Sequence, residues 1–337
     1  MSRNLFPLAL TATMLAGTAM AEVPRVAADI APLHALVARV MQGVGAPDLI
    51  VQPGASPHEY SLRPSEAEAL QDADIVIWMG EDLAPWMQSA IETLTADASV
   101  VTLLEAQETA LLEFRENALF EKHAHGDDDH AAEDGAHDHE HDDHAGAEDH
   151  AHDTGEHAEA EAHDHDHGAH DPHAWLSPRN AAAWLNLIAG ELSAADPENA
   201  GTYFANAAEA RAEIDTLVSE IGDILDSARG GRFVVFHDAY QYFETAFDIP
   251  ASGAISLSDA RDPSPARIAE IQGRVAEEGI DCVLAEPQFD PGIVATVLEG
   301  TEANTAVIDP LGSDLEPGPD LYPQMMRNLA SSLAGCL

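Results

Sequence analysis

The sequence predicts an α/β protein with two lobes, each built on a parallel β-sheet flanked by helices. Short apolar runs alternate with stretches of helical periodicity from residue 26 to residue 104, and the alternation returns from residue 233 onward. Residues 197–228 between these halves have a helical pattern without an internal proline. Such a helix would be roughly 45 Å long at 1.5 Å per residue, so we expect one long rigid helix to join the lobes.

The first half shows strands, helices and turns in order. Leu33, Leu36, Val37 and Val40 share one helical face and predict a helix over residues 32–41. Helix starts are indicated at Pro64-Ser65, with Glu68 at capping-box distance from Ser65, and at residues 83 and 178. Apolar runs predict the strands of this half, at residues 26–28, 49–51, 75–78 and 100–104.

The second half repeats this order with a different set of residues. Apolar runs predict strands at residues 233–236, 282–284 and 306–308. Helical periodicity predicts helices at residues 239–247, 265–278 and 291–298. The first two helices lie between the strands at 233–236 and 282–284, and the third lies between the strands at 282–284 and 306–308. We therefore expect a second helix-covered parallel sheet.

The N-terminus has the pattern of a secretory signal peptide. Arg3 provides positive charge, residues 5–16 are mostly apolar, and Ala19-Met20-Ala21 provides small residues for cleavage near Ala21. No segment approaches the ~20 apolar residues of a membrane span, so we expect a soluble, exported periplasmic protein. The predicted organisation is a signal peptide (1–21), an N-terminal lobe (22–196), a linking helix (197–229) and a C-terminal lobe (230–337).

Residues 121–171 form an insert in the first lobe that has almost nothing to bury. The insert lacks Val, Leu, Ile, Met, Pro and aromatic residues, and it holds 14 of the 18 histidines. This composition predicts a disordered loop rich in ligands for Zn²⁺, Ni²⁺ or Cu²⁺. An acidic solubilising insert is the alternative, but acidity alone does not require histidine. The densest runs predict secondary metal sites at His137, His139, His141, His163, His165 and His167.

The overall charge also favours a cationic ligand. The formal net charge is −47, of which the insert contributes −18. Such a surface argues against binding to nucleic acid or to anionic lipid and favours cation capture, although general solubility explains the acidity outside the insert equally well. We expect no nucleic-acid partner, and we expect a monomer.

Two cysteines, Cys282 and Cys336, are the only ones in the chain. An even pair in an oxidising compartment indicates one disulfide. The alternative use as metal thiolates is disfavoured, because neither cysteine lies near a histidine in sequence.

Candidate metal ligands lie at the predicted carboxyl ends of strands. His58 follows the strand at 49–51, His237 follows the strand at 233–236, and Asp309 follows the strand at 306–308. Ligands bind at these ends in open α/β sheets. His173, where the insert re-enters the fold, completes a three-nitrogen, one-oxygen set that suits tetrahedral Zn²⁺. His34 is predicted to be a partly exposed surface residue of the first helix.

Several motifs in order give the chain a resemblance to the zinc-specific periplasmic substrate-binding proteins of ABC transporters. The resemblance covers essentially the whole mature length. The motifs are Pro53-Gly54-Ala55-Ser56-Pro57-His58-Glu59-Tyr60, Leu62-Arg63-Pro64-Ser65, Asp171-Pro172-His173-Ala174-Trp175-Leu176-Ser177-Pro178, Phe236-His237-Asp238-Ala239-Tyr240, Ala285-Glu286-Pro287-Gln288-Phe289 and Asp309-Pro310-Leu311-Gly312.

The resemblance implies two lobes joined by one helix, with Zn²⁺ held in the cleft by His58, His173 and His237. Manganese-binding relatives have Glu at the third position, so His237 favours zinc. The family carboxylate matches Asp309, but the fourth ligand is left open between Asp309, water and an insert histidine. The resemblance also implies a Cys282–Cys336 disulfide.

The expected function is capture of Zn²⁺, as transported ligand and not as catalytic cofactor, for a permease and its ATPase. A periplasmic zinc buffer or chaperone without a transporter has the same ligands, and Mn²⁺ or Ni²⁺ are alternative ions. A zinc hydrolase with Glu286 as general base is disfavoured, because the chain has no His-Glu-x-x-His and no Gly-x-Ser-x-Gly segment. We therefore expect a binding protein and not an enzyme.

Overall fold

The computed structural model describes residues 23–115, 170–256 and 263–337. The predicted signal peptide lies outside the described residues. So do the six insert histidines predicted as secondary metal sites, from His137 to His167. No helix within the described ranges has both the length and the apolar character of a membrane span.

Four parallel strands form the first sheet, in the order β2-β1-β3-β4. The register pairs Val26 with Ile75 and Ile75 with Ser99. The strands are β1 (Val26–Ala28), β2 (Asp48–Leu49), β3 (Ile75–Trp78) and β4 (Ser99–Thr102). The helices of this half are α1 (Ala31–Val40), α2 (Pro64–Asp72), α3 (Pro85–Leu94) and α4 (Pro178–Ala195).

The long helix α5 (Ala200–Leu225) has 26 residues and continues into a short 3₁₀ turn, Asp226–Ala228. Its buried positions recur every three or four residues, which gives one apolar stripe along the whole helix. These positions are Tyr203, Ala207, Ala210, Ile214, Leu217, Ile221 and Leu225. The stripe packs against α4 and α1, so burial supports the helix along its length.

The second sheet has the same topology, with strand order β6-β5-β7-β8 and all pairs parallel. Its strands are β5 (Phe233–His237), β6 (Gly253–Ser256), β7 (Cys282–Ala285) and β8 (Asn304–Val307). Its helices are α6 (Gln241–Phe247), α7 (Pro265–Glu278), α8 (Pro291–Leu298) and α9 (Leu321–Cys336). The fold is therefore the predicted two-lobed α/β architecture with a long connecting helix.

One hydrophobic core runs through both lobes, and α9 contributes to it throughout its length. This helix packs against α1 and α5 as well as against β8. The disulfide Cys282–Cys336, with a Cα–Cα distance of 5.8 Å, ties the end of α9 to the start of β7. The predicted disulfide is confirmed, and α9 connects the two halves alongside α5.

Three local features of the structure depart from what the sequence predicts. β6 and α9 are not predicted from the sequence, because their glycine, serine and proline residues weaken the local signal and their stability comes from tertiary burial. The predicted capping box of Ser65 and Glu68 is not formed: Arg63 is the N-cap residue of α2, and its backbone N–H donates to the Glu66 carboxylate at 2.7 Å. Pro64 takes the first helical position, because its fixed φ and missing N–H suit it to that place.

Candidate metal centre

Three histidines converge in the cleft between the two sheets. Ring nitrogens of His58, His173 and His237 all lie within 4.8 Å of one another. Nε2 of His173 is 3.3 Å from Nε2 of His58 and 3.4 Å from Nε2 of His237. The three side chains come from the loop after β2, the segment before α4 and the last residue of β5.

Asp171 orients the buried ring of His173. Its Oδ1 atom lies 2.7 Å from Nδ1 of His173 and accepts the backbone N–H of the same residue at 2.9 Å. A carboxylate beside Nδ1 keeps the hydrogen on that nitrogen, because the carboxylate can only accept. The lone pair of His173 is therefore on Nε2, directed into the cleft.

Glu286, which follows the strand next to β5, orients the ring of His237. Its Oε1 atom lies 2.8 Å from Nδ1 of His237 and accepts the backbone N–H at 3.3 Å. Glu286 directly follows β7, which is paired with β5. Both side chains are almost completely buried, so the carboxylate also fixes the hydrogen of this ring on Nδ1.

These nitrogen separations match a tetrahedral zinc ion. Two nitrogens bound at about 2.0–2.1 Å to a tetrahedral ion lie about 3.3 Å apart. The Nε2 atoms of His173 and His237 are 3.4 Å apart, and the carboxylates beside both Nδ1 atoms favour the tautomers in which these Nε2 atoms can bind a cation. The three imidazoles therefore fit a divalent cation that prefers nitrogen.

The loop that carries His58 is held from within the first lobe. The indole Nε1 of Trp86, on α3, donates to the Pro57 carbonyl at 2.7 Å. Ser56 Oγ accepts the backbone N–H of His58 at 3.2 Å. The turn before it uses Gly54 at φ +84°, a backbone conformation that favours glycine. His58 is thus the most exposed of the three rings, on a braced loop.

The segment after His173 is held by the second lobe. Trp175 Nε1 donates to the Pro310 carbonyl at 2.8 Å, and Tyr322 Oη, on α9, donates to the Trp175 carbonyl at 3.0 Å. The Trp175 ring also lies against His173, with 5.2 Å between ring centroids. Together with Phe289 and Leu311, Trp175 gives the cleft an apolar wall beside the nitrogens. Such a wall lowers the local dielectric and limits the access of water.

Two buried acidic residues, Asp171 and Glu286, lie behind the rings of His173 and His237. Burial raises the pKa of Asp171 to about 7, while the N–H of His173 and the positive charge of Arg115 oppose that rise. Glu286 is buried behind His237 in the same way. A bound cation would interact favourably with both carboxylates through the rings between them.

Asp309, the carboxylate predicted from the strand ends, has its oxygens engaged elsewhere. Oδ1 accepts from the backbone N–H of Leu311 at 3.0 Å and from Nε2 of Gln288 at 3.2 Å. Oδ2 accepts from the backbone N–H and the hydroxyl of Ser313, both at 2.6 Å. Asp309 is not part of the three-residue group whose ligand atoms lie within 4.8 Å of one another. Its role as fourth ligand stays a prediction.

His34 is not the surface residue that was predicted. It is buried at 7% exposure, and its Nε2 lies 3.1 Å from the Pro47 carbonyl. Burial lowers the pKa of His34, which favours the neutral ring. The prediction of surface exposure is therefore wrong, because tertiary packing covers the side of α1 on which His34 lies.

The predicted insert also ends earlier than residue 171. His170 forms an isolated antiparallel bridge with Glu113, and Asp171 is buried beside His173. Both residues therefore belong to the described fold.

Sequence reasoning missed the roles of Asp171 and Glu286 as partners of the histidine rings. Asp171 lies two residues before His173, and Glu286 follows the strand that pairs with β5. A search for carboxylates at strand ends and beside each candidate histidine could have found both. From sequence, Glu286 is named only as the general base of the disfavoured zinc hydrolase.

Comparisons with known proteins match the chain along its length. Residues 26–336 match the family model described as zinc-uptake complex component A, periplasmic. The high-affinity zinc uptake system protein ZnuA of Brucella abortus is 44% identical over 339 residues, with 99% of each chain covered. ZnuA of Paracoccus denitrificans is 43% identical over 334 residues, covering 95% of this chain and 93% of its own.

Among solved structures, a crystal structure of ZnuA superposes with a TM-score of 0.70 at 20% identity. The match covers 94% of this chain and 99% of that one. At that identity the likeness shows the shared two-lobed fold. The family model and the relatives that match nearly the whole sequence go further, and they show that this chain belongs to the family of the periplasmic component A of the zinc-uptake complex.

Proposed function

We propose that this protein captures Zn²⁺ in the periplasm and delivers it to an inner-membrane ABC permease for import. His58, His173 and His237 are the proposed ligands, with the fourth position taken by Asp309, water or an insert histidine. Family membership supports the zinc-uptake role, and the relatives that match over nearly the full length are named as high-affinity zinc uptake proteins. Zn²⁺ is the transported ligand in this proposal.

One observation carries the assignment to zinc. Nε2 of His173 lies 3.3 Å from Nε2 of His58 and 3.4 Å from Nε2 of His237, close to the spacing that tetrahedral Zn²⁺ imposes on its ligands. Mn²⁺ prefers a larger share of oxygen ligands, so a three-imidazole group suits it less well. Ni²⁺ binds imidazole but prefers square-planar or octahedral coordination. Three converging rings do not provide such a geometry, so they suit Ni²⁺ less well than Zn²⁺.

The proposed partners are the permease and the ATPase that drives it. The alternative is a periplasmic zinc buffer or chaperone, which would use the same ligands without a transporter. A strain that lacks the gene separates these functions: a transport component is needed for growth when zinc is scarce. Co-purification of the zinc-loaded protein with a permease supports transport, and normal growth of the deletion strain would favour the buffer.

We also propose that the protein is exported, that one helix links its two lobes, and that it binds zinc without catalysing a reaction. The signal peptide is residues 1–21 with cleavage near Ala21, and residues 197–229 link lobes formed by residues 22–196 and 230–337. Mass spectrometry of protein isolated from the periplasm gives the first residue directly. Hydrolysis of ester, peptide or phosphoester substrates by the zinc-loaded protein would support the hydrolase alternative instead.

Substitution of a proposed ligand and of a matched buried histidine tests the site. His173→Ala removes one of three converging nitrogens and should raise the zinc dissociation constant by at least about 100-fold. His34→Gln changes another buried histidine, whose contact is the Pro47 carbonyl, and should leave zinc affinity unchanged. Competition with a chelator measures the tight site in the full mature chain. Equal affinities of His173→Ala and the unmodified protein would refute the site.

A further inference from the structure

A buried ion-pair cluster joins the two lobes and includes Asp238, the residue that follows His237 in the chain. Nε of Arg115 donates to Asp238 at 2.9 Å, and its two Nη atoms donate to Glu244 at 2.9 and 3.0 Å. A further hydrogen bond joins Nη2 to Asp238. Arg115 is 18% exposed, and the two acids are 3% and 5% exposed, so solvent screens these pairs little.

Arg115 belongs to a short segment of the first lobe in which two stretches of chain meet at an isolated bridge. We call it the stem and define it as residues 110–115 with residues 170–171. The backbone N–H of Asp171 donates to the Leu112 carbonyl at 2.9 Å, and Glu113 bridges to His170. Asn180, on α4, accepts from the N–H of Ala110 at 2.9 Å and donates to its carbonyl at 3.0 Å. The stem is therefore fixed to the first lobe.

The stem also contacts α6 of the second lobe through Tyr242. The hydroxyl of Tyr242 accepts the backbone N–H of Leu112 at 3.0 Å and donates to the Asp171 carbonyl at 2.9 Å. Asp171 orients the ring of His173, and Asp238 follows His237 in the chain. A closed path of contacts thus links His173 to His237 through the stem, without using α5.

We propose that Arg115 is a positioning residue for metal capture, which holds His173 and His237 at ligation distance before the ion arrives. The inference rests on the proposed function, since it concerns the affinity of the same site. Ligands from two lobes lose relative freedom when they share an ion. A structure that has already fixed their separation binds the ion more tightly, because less ordering remains to be done.

Arg39 provides a matched control. Like Arg115, Arg39 pairs with two carboxylates from another part of the chain: it lies on α1 and pairs with Glu209 and Glu213 on α5. Its partners are largely exposed, and the contacts that fix the stem do not involve it. Loss of Arg39 removes an ion-pair cluster of similar composition but does not interrupt the path from His173 to His237.

The test compares Arg115→Gln, Arg115→Lys and Arg39→Gln in the full mature chain, with zinc as the probe and chelator competition as the readout. Arg115→Gln should raise the zinc dissociation constant about 10- to 100-fold, the range typical of residues that support metal ligands. Arg115→Lys keeps the charge but cannot span both acids, so a smaller increase is expected. Arg39→Gln should remain within about twofold of the unmodified protein.

Hydrogen exchange in the metal-free protein distinguishes positioning from general destabilisation. In Arg115→Gln the amides of Leu112 and Asp171 should exchange faster, while those of the β1 and β3 core exchange as before. Because Arg115→Gln leaves two buried acids without their counter-charge, Arg115→Lys decides the question if the Gln variant does not fold.

Two outcomes separate the inference from the function on which it rests. If the unmodified protein has no tight zinc site, both fail. If the unmodified protein binds zinc tightly and both folded Arg115 variants bind equally well, only the positioning role is overturned. A loss of affinity in Arg39→Gln equal to that in Arg115→Gln would also overturn it.

Discussion

Oε1 of Glu286 lies 2.8 Å from Nδ1 of His237 and also accepts the backbone N–H of that residue, at 3.3 Å. In the first lobe, Oδ1 of Asp171 likewise lies 2.7 Å from Nδ1 of His173 and accepts the backbone N–H of His173 at 2.9 Å. One carboxylate oxygen in each lobe therefore fixes both the ring and the backbone of a proposed ligand. This arrangement determines which nitrogen of each ring is available to a metal.

Glu286→Ala should weaken zinc binding about 10- to 100-fold, because the His237 ring loses the acceptor that fixes its orientation and raises its basicity. Glu286→Gln keeps an oxygen that can accept the Nδ1–H but loses the negative charge. Its zinc affinity should therefore lie between those of the unmodified protein and Glu286→Ala. Chelator competition measures both. Glu299→Ala, an exposed acid at the end of α8, is the control. Unchanged zinc affinity in Glu286→Ala would contradict a supporting role.

Asp309→Asn should lower the stability of the protein more than it lowers the zinc affinity. Three hydrogen bonds to its two oxygens close the turn that contains Leu311 and Ser313, a fourth comes from Gln288, and Asn keeps only one acceptor oxygen. We expect a loss of about 1–3 kcal/mol in the free energy of unfolding and less than a tenfold change in zinc affinity. Urea denaturation and chelator competition measure the two effects. A loss of affinity as large as that of His173→Ala would instead identify Asp309 as the fourth ligand.

Deletion of residues 121–169 should remove the extra zinc equivalents and leave one tight site. The deletion spares His170 and Asp171, since Asp171 holds the ring of His173. Secondary sites in the insert, predicted at histidines such as His137 and His163, would raise the local ion concentration with only modest affinity. Calorimetric titration counts the equivalents in both chains. Loss of the tight site on deletion would show that the insert supplies an essential ligand.

Stability should also depend on pH through Asp29, a fully buried acid at the end of β1. Its two oxygens accept the backbone N–H groups of Ile30 and Met79, both at 2.7 Å, yet burial raises its pKa to about 7. The folded pKa lies above the ordinary value of 3.8, so the native state holds the proton more tightly than the unfolded state does. The contribution of Asp29 to stability is therefore complete below about pH 4 and is lost as pH rises through about 7.

Asp29→Asn removes this titration. The difference in the free energy of unfolding between the unmodified protein and Asp29→Asn should fall steadily as the pH rises from about 4 to about 7. Urea denaturation of the metal-free proteins at several pH values measures it, and other titrating groups cancel in the difference. A difference that does not vary with pH would contradict the raised pKa.

The strand and helix order could be read from sequence wherever local pattern and burial agree. Ile75–Trp78, Pro265–Glu278 and Pro291–Leu298 match the predicted bounds, because each is a strongly patterned segment between clear turn or capping residues. By contrast, β6 and α9 depend on packing against distant parts of the chain. Their local composition gives too weak a signal to identify them.

The candidate ligands could be identified from sequence because they lie where parallel strands end or where a composition changes, and both features are local. The orientation of their rings could not be identified in this way. Whether Asp171 and Glu286 reach Nδ1 of a histidine, whether Asp309 is already engaged by Ser313, and whether His34 is covered all depend on approach distances between segments far apart in the chain. Hydrogen bonds and burial change over about one ångström, so only the tertiary structure decides them.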